Sequence, residues 1–351
     1  MTRLYLLEPD HHDPAWTPFG GVRPVAELRA GAWLIRERWE ATIGHEATAI
    51  LCDLLAGFAD TTHPPVHAAA IAEGPGWVVR SDIVPERFRL ETPGSRCHLV
   101  CDGEVAGWWL EDGERWAGPA TPRGAPLPIA GMVLRGAWDL ITALERFLPA
   151  DAEEFTGAAG DPIPGGSIVL GDPGRVVLLD AQVEPGVVFD TRHGAIVLAE
   201  GTTARSGTRL EGPLVAGPGT VLLGGPIRHS SFGPQCRVHG EVATSVLVGF
   251  ANKSHDGFLG HSVLAPWVNF GAGTITSNLK NTYGPIRLDL PGGRLETGRA
   301  FLGSLVADHA KTAIGTLLGT GTVIGAGANV FGAPPVPRLV APFAWGSSGD
   351  Q

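Results

Sequence analysis

A chain of 351 residues is long for one ordinary core and suits two domains. Its 44% hydrophobic content excludes general disorder, and its net charge of −10 excludes a broad basic face for nucleic-acid backbone. A smaller basic site for a phosphorylated metabolite stays open. The opening run Met1-Thr-Arg-Leu-Tyr-Leu-Leu7 is too short for a signal peptide, and no stretch approaches the roughly 20 apolar residues of a membrane span. A soluble, cytoplasmic protein is expected.

Residues 1–150 hold eight of the ten tryptophans but only 15 of the 50 glycines, and they read as mixed α/β. Residues 4–7 suit a buried strand. Between 25 and 39, apolar side chains at 25, 28, 32, 35 and 39 predict a helix with Arg and Glu on its other face. Residues 77–79, 97–101 and 105–110 predict strands, the last two joined by the tight-turn pair Asp102-Gly103. Residues 138–147 predict a second helix. Cys97, His98 and Cys101 resemble half of a metal site, but no second Cys/His cluster at zinc spacing completes it. With Cys52 and Cys236 they are read as ordinary thiols. Residues 151–166 are small, acidic and turn-forming, which reads as a linker closing the first domain at 150.

The remaining sequence repeats every six residues. Val215, Val221 and Ile227 set the period, Phe232 and Val238 follow with one slip, and Leu264, Phe270 and Thr276 continue it. Leu318, Ile324 and Val330 do the same, and glycine follows Phe232, Phe270 and Ile324. Such a repeat predicts a β-helix over 167–337, with every sixth side chain inward and about 18 residues per three-sided coil. A flexible glycine-rich linker has no reason to space Val, Ile and Leu this way. Residues 338–351 read as a C-terminal tail.

Two segments carry a family resemblance. His255-Asp-Gly-Phe-Leu-Gly260 and Trp267-Val-Asn-Phe-Gly-Ala-Gly-Thr-Ile-Thr-Ser-Asn278 resemble the acetyltransferase half of the bifunctional N-acetylglucosamine-1-phosphate uridylyltransferase/glucosamine-1-phosphate acetyltransferases. Arg23-Pro-Val-Ala-Glu-Leu-Arg29, with Gly31, Ile35, Arg36, Glu37 and Trp39, is similar to a shorter branch of sugar nucleotidyltransferases fused to the same β-helix. Trp138-Asp-Leu140, Asn278-Leu-Lys-Asn-Thr-Tyr-Gly284 and Pro342-Phe-Ala-Trp-Gly346 fit that branch as well. The resemblance implies an α/β nucleotidyltransferase-like domain followed by a left-handed parallel β-helix. It also implies sugar-nucleotide synthesis with acetyl-CoA as cosubstrate, an amino-sugar phosphate and an NTP as substrates, and a parallel homotrimer with acyl sites between chains.

By that resemblance His255 is the general base for the attacking amine, a task for which an imidazole pKa is well placed. Asn269 and Asn278 match the amides that orient the sugar; their offsets of 14 and 23 from His255 place them near the next turn of an 18-residue coil, close to one edge. The chain has three lysines, Lys253, Lys280 and Lys311, all inside one short stretch, which suggests ammonium groups set against phosphate. Lys253, Lys280 and Arg228 are the candidates for the sugar phosphate, and Ser304 and Lys311 for coenzyme A. Phe258 stands where the family pattern has tyrosine, and Ala243 where it has a phosphate-binding lysine. Another amino sugar, or a relic site, fits these departures as well as glucosamine-1-phosphate.

The nucleotidyltransferase half departs further. A Gly-rich phosphate loop is expected after the first strand, but Glu8-Pro-Asp-His-His-Asp-Pro14 has no glycine before Gly20-Gly21. Arg23-Pro24 keeps part of the later signature, with Val25 in place of its lysine. Arg23, Glu27 and Arg29 are the candidate nucleotide contacts, with Asp139 beside them, and Asp82 is the candidate Mg²⁺ ligand. Two readings stay open for this half, nucleotidyl transfer and a domain that only binds or scaffolds. For the whole chain the rivals are a trimeric sugar-nucleotide-binding protein without catalysis and a zinc enzyme using His229, His239, His255 and His261. The spacing of six between the last two histidines puts them on adjacent faces.

Overall fold

A computed structural model of the protein describes residues 2–60, 63–119, 124–158, 160–332 and 335–346. They fall into two compact units, Met1–Leu28 with Trp33–Gly136, and Arg29–Ala32 with Ala137–Gln351.

The first unit is built on a mixed sheet of β1 (Arg3–Leu7), β2 (Ala49–Leu51), β3 (Val66–His67), β4 (Gly76–Arg80), β5 (Cys97–Cys101), β6 (Glu104–Leu110) and β7 (Ala125–Pro128). Their spatial order is β7-β5-β6-β4-β1-β2-β3. β1 runs parallel to β2 and β4 on its two sides, while β6 is antiparallel to β4 and β5. Leu4, Tyr5 and Leu6 are all buried, as an apolar run in a covered parallel strand should be. The β5–β6 connection takes positive φ at both Asp102 (48°) and Gly103 (81°), the hairpin geometry expected of that pair.

The helix predicted over 25–39 does not form as one piece. The chain makes a single 3-10 turn at Val25–Glu27, short strands at Arg29–Ala30 and Trp33–Leu34, and then α1 (Ile35–Ile43). Two features break it. The Glu8 carboxylate accepts from the Val25 and Ala26 N–H groups at 2.5 and 3.0 Å, which pins the turn. Gly31 then takes φ 69°, outside the helical region and cheap only for glycine.

The second unit opens with α2 (Asp139–Glu153), whose Leu140, Ile141, Leu144, Phe147 and Leu148 form a fully buried stripe. The helix begins where predicted but runs on through Pro149, and a 3-10 turn follows at Glu154–Gly157. The expected linker therefore starts inside helical structure. The unit boundary lies at Gly136, not 150, because α2 packs on the solenoid strands Leu214–Ala216 and Val246–Leu247.

Behind α2 the chain winds into a parallel β-helix of three faces. The first begins at Ile168–Leu170, the second at Val176–Leu178 and the third at Gln182–Val183, with the second reaching nine strands. Coil length varies. Ile196 pairs with Leu214, Ser231 with Val246 and Val263 with Leu305, giving coils of 18, 15 and 42 residues. The long coil carries an antiparallel hairpin, Arg287–Leu290 with Gly293–Glu296. Ala216, Leu222, Ile227, Phe232, Val238, Leu264, Phe270, Leu318, Ile324 and Val330 line the interior. The sequence period holds, but its phase at Val215 and Val221 is one residue early. Val215 faces outward and is buried beneath α2, so an outward position reads as apolar. The expected tail from 338 begins as a further coil, since Leu339–Val340 pairs with Val323–Ile324. Among the described residues no helix is long and apolar enough to cross a membrane.

Candidate active sites

In the first unit, β1, β2 and β4 all end on one side of the sheet, and strand order reverses at β1. Ligands of open α/β sheets bind at such a switch point, beyond the carboxyl ends of the strands. Two cavities of about 560 Å³ each flank the loop after β1. The one between β1 and β4 is lined by Glu8, Asp10, Asp13, Arg80, Asp82 and Arg135, among others. Asp82 lines this cavity, but it is not open to a cation. Its two oxygens accept from Arg80 Nε and Nη2 at 2.9 and 2.7 Å, and Arg80 Nη1 reaches on to Glu104 at 3.2 Å. Arg135 pairs with Glu104 at 2.5 Å.

The other nucleotide candidates lie elsewhere. Arg23 and Glu27 are buried and line neither cavity; Arg23 pairs with Asp60 at 2.6 Å and Glu27 with Arg36 at 2.6 Å. Arg29, in the second unit, is buried and donates to the Ala32 carbonyl. Arg23 and Glu27 are thus engaged in ion pairs, and Arg29 ties down the backbone at Ala32. What the sequence reading missed is Glu8, which caps the Val25 turn and takes a 2.8 Å contact from His11. An acid before a prolyl loop carries no marker that distinguishes it from surface charge.

On the solenoid, His255 sits exposed in the turn between Asn252–Lys253 of the third face and Phe258–Gly260 of the first. That turn is tied down on both sides. Ser254 Oγ donates to the Asn252 side chain, which in turn donates to Asn269 Oδ1, so Asn269 is linked to the turn across the third face. Below the turn, Lys253 points into the solenoid with 1% exposure. Its Nζ donates to the carbonyls of His239, at 2.9 Å, and His255. Burial pushes this ammonium down to about 8. Lys253 is therefore no phosphate contact; it fastens the backbone that carries His255.

Asn278 lies beyond the other end of the first face. Its Nδ2 and the Phe258 ring come within 2.6 and 2.4 Å of where a Gly260 Cβ would stand, so only glycine lets the two side chains close over that position. Asn278 Nδ2 also meets His261 Nδ1 at 2.8 Å. Phe258 and Asn278 thus share one place, His255 the near edge of the same face, and Asn269 the adjoining face. Among the described residues no hydrogen bond joins the His255 imidazole to either amide.

The remaining candidates divide. Ser304 is fully buried at the end of a hydroxyl ladder, Ser230, Ser245, Ser262, in which each Oγ accepts from the next residue's N–H; its own N–H goes to Ser262 Oγ at 2.9 Å, so it cannot touch coenzyme A. Arg228 is half-exposed and pairs with Glu241 at 2.8 Å. Lys280 donates to the Pro285 carbonyl, and exposed Lys311 to the His309 carbonyl at 3.2 Å. The four histidines of the zinc reading occupy two different corners. His229 and His261 lie between the first and second faces, and His239 and His255 between the third and first. All four cysteines are buried free thiols.

Residues 5–159 match the family model described as sugar nucleotidyl transferase. A nucleotidyltransferase-like domain precedes the solenoid. The matched span runs through α2, although that helix packs in the second unit. A bifunctional sugar-1-phosphate nucleotidylyltransferase/acetyltransferase from Sulfurisphaera tokodaii is 35% identical over 100 residues, 28% of this chain and 25% of that protein. A bifunctional protein GlmU from Methanococcus vannielii is 30% identical over 92 residues, 24% of this chain and 22% of that one. The alignments span about a quarter of each relative's length.

Proposed function

We propose that this chain is a transferase of sugar-nucleotide synthesis, with N-acetyl transfer from acetyl-CoA to an amino-sugar phosphate on the solenoid. The product class is a sugar nucleotide of the UDP-N-acetylglucosamine kind, and the setting is the cytoplasm. The observation that carries the reading is His255, a solvent-facing imidazole in a turn fixed by Lys253 from inside and by Ser254 and Asn252 from the side. As the amine nitrogen forms its bond to the thioester carbonyl carbon, His255 takes the amine proton, and the sulfur leaves and is protonated. Asn278 and Asn269 supply amides for the sugar hydroxyls or the acetyl oxygen, with Arg228 and Lys280 as cations near the phosphate. Phe258 gives an apolar floor in place of a hydroxyl. Lys311, on the third face, stays our candidate for coenzyme A. Completion of the site by a neighbouring copy in a homotrimer belongs to the same proposal, and light scattering at micromolar concentration tests it.

The deciding assay is mass spectrometry of a panel of hexosamine phosphates with acetyl-CoA. Wild type should acetylate at least one of them, and His255→Ala should lower kcat by about 10²–10⁴-fold. Equal inertness of both on the whole panel overturns the acyl-transfer reading.

For the first unit we propose that the cavity between β1 and β4 takes a nucleotide together with a sugar phosphate. The residues present do not suit a protein-held Mg²⁺. Asp82 is engaged by Arg80, and among the described residues no group of three or more His, Cys, Asp or Glu side chains is placed to hold a metal ion. No step is routed through one. The acidic lining of Glu8, Asp10 and Asp13 repels a triphosphate more than the smaller charge of a UDP-sugar, which favours a second reading for this unit, nucleotide-sugar binding without turnover. That reading predicts a ligand-dependent rise in melting temperature with UDP-sugars and no pyrophosphate released from any NTP.

A further inference from the structure

One group of contacts around Asn278 has no part in the proton transfer at His255. His261, between the first and second faces, is stacked on Phe301 with ring centroids 5.2 Å apart and planes 23° from parallel. Its Nε2 faces Glu145 Oε1 of α2 at 4.0 Å. Glu145 is held in turn by Arg299, whose Nη2 donates to both carboxylate oxygens at 2.9 and 3.0 Å. Arg299 is fixed by Nη1 to Thr142 Oγ1 at 2.6 Å and by Nε to the Phe301 carbonyl at 3.1 Å. The Leu302 N–H closes the loop onto the Asn278 carbonyl at 3.0 Å.

The electrostatics of this arrangement have a direction. At 4.0 Å Glu145 is too far for a direct hydrogen bond, but its charge on the Nε2 side favours the Nε2–H tautomer, which leaves a lone pair on Nδ1. An Nδ1 lone pair accepts only, so the Asn278 amide must turn its NH2 toward His261. Its Oδ1 is then the end not engaged by His261, while Nδ2 lies over Gly260 beside the Phe258 ring. An unrestrained amide would present either end, because its two orientations differ little in energy. Burial, with Arg299 and Arg228 adding to it, pushes His261 down to about 4, so the ring stays neutral at working pH.

We infer that His261, with its tautomer set by Glu145 and Arg299, is a positioning residue that fixes which end of the Asn278 amide faces the acyl acceptor. The inference rests on the acyl-transfer reading. It makes α2 and the insertion of the long coil part of the apparatus that orients the acyl site, and it assigns Oδ1 of Asn278 to an N–H or O–H of the acceptor.

The test uses the full chain and three variants. His261→Ala removes the acceptor. His261→Asn keeps an acceptor at the δ position, and asparagine tolerates the backbone φ of 48° found here. Glu145→Gln removes the charge that selects the tautomer. Expected are a fall in kcat of about 10–100-fold for His261→Ala with both KM values within about threefold, recovery to within about threefold of wild type for His261→Asn, and an intermediate loss for Glu145→Gln. The second readout is nitrogen-15 NMR of labelled histidine and asparagine. Wild type should show His261 as the Nε2–H tautomer, and a protected Asn278 side-chain amide, assigned by its loss in Asn278→Asp, that disappears in His261→Ala and persists in His261→Asn. A His261 protonated on Nδ1 in wild type, or an Asn278 amide and kcat both unchanged in His261→Ala, overturns the inference. Wild type without acetyl transfer but with these NMR signatures defeats the acyl-transfer reading and leaves the positioning intact. If the variants fail to fold, the wild-type tautomer alone decides.

Discussion

Lys253 is the side chain on which the strongest residue-scale prediction rests. Its ammonium sits inside the solenoid, where burial lowers its pKa from 10.5 to about 8. The unfolded chain holds the proton up to the higher value, so between these two pH values it binds more protons than the folded chain. Stability then rises with pH through this window. Melting temperature followed from pH 7 to 10 should climb in wild type relative to Lys253→Met, which lacks the titration; parallel curves would remove the buried-ammonium account. His261 has the same sign at lower pH. Depressed from 6.5 to about 4, it makes the fold lose stability as pH falls through that interval, because only the unfolded chain takes up the proton. His261→Asn should flatten this acid slope. The sequence showed three lysines clustered, but not that one points inward, because only the fold decides which of two neighbouring positions faces the core. His255, Asn269 and Asn278 were singled out by their motif, which says nothing of the corner each occupies; the fold puts His255 between the third and first faces and Asn278 beyond the far end of the first. Arg299 and Glu145 were not, since nothing in a linear sequence links an arginine in an insertion to a glutamate on a distant helix.

Elements of this molecule are shaped by a few polar ties as much as by apolar spacing. The 25–39 segment has good helical spacing, yet Glu8 and Gly31 divide it into a turn, two short strands and α1. Glu8→Ala would leave the Val25 and Ala26 N–H groups buried without their acceptor, at about 1–3 kcal/mol each. Chemical denaturation should therefore show the first unit losing about 2–5 kcal/mol, while Glu46→Ala, at an exposed position after α1, costs well under half as much. A loss below about 1 kcal/mol would mean that the carboxylate does not hold this turn. The six-residue repeat was readable because inward positions are apolar on most coils, with Lys253 an exception. Its phase was lost where α2 covers the second face, making Val215 and Val246 buried although they point outward. The 42-residue coil was illegible for a related reason. A hairpin such as Arg287–Leu290 with Gly293–Glu296 follows period two and interrupts the period of six without leaving a marker of its own.

At the scale of the whole molecule, the boundary between sequence family and compact unit falls on opposite sides of α2. The nucleotidyl transferase model extends to residue 159, but the helix buries Leu140, Ile141, Leu144, Phe147 and Leu148 within the second unit. A solenoid is stable coil by coil, and its lateral faces need either polar side chains or a cover. The second face has a cover, since Val215 and Val246 are buried there beneath α2. Two fragments separate the alternatives. Residues 137–351 retain the helix, whereas residues 160–351 expose Val215, Val246 and their neighbours as an apolar patch of the sort that drives association. The longer fragment should unfold cooperatively, with a melting temperature at least about 5 °C above that of the shorter one, which should also self-associate. Thr142→Ala with Glu145→Ala in the longer fragment separates polar anchoring from apolar cover. It removes the Arg299 contacts but keeps the buried stripe, so it should give most of its effect in the Asn278 environment and little in melting temperature. Equal stability of the two fragments would show that the helix is a passenger in the stability of the solenoid.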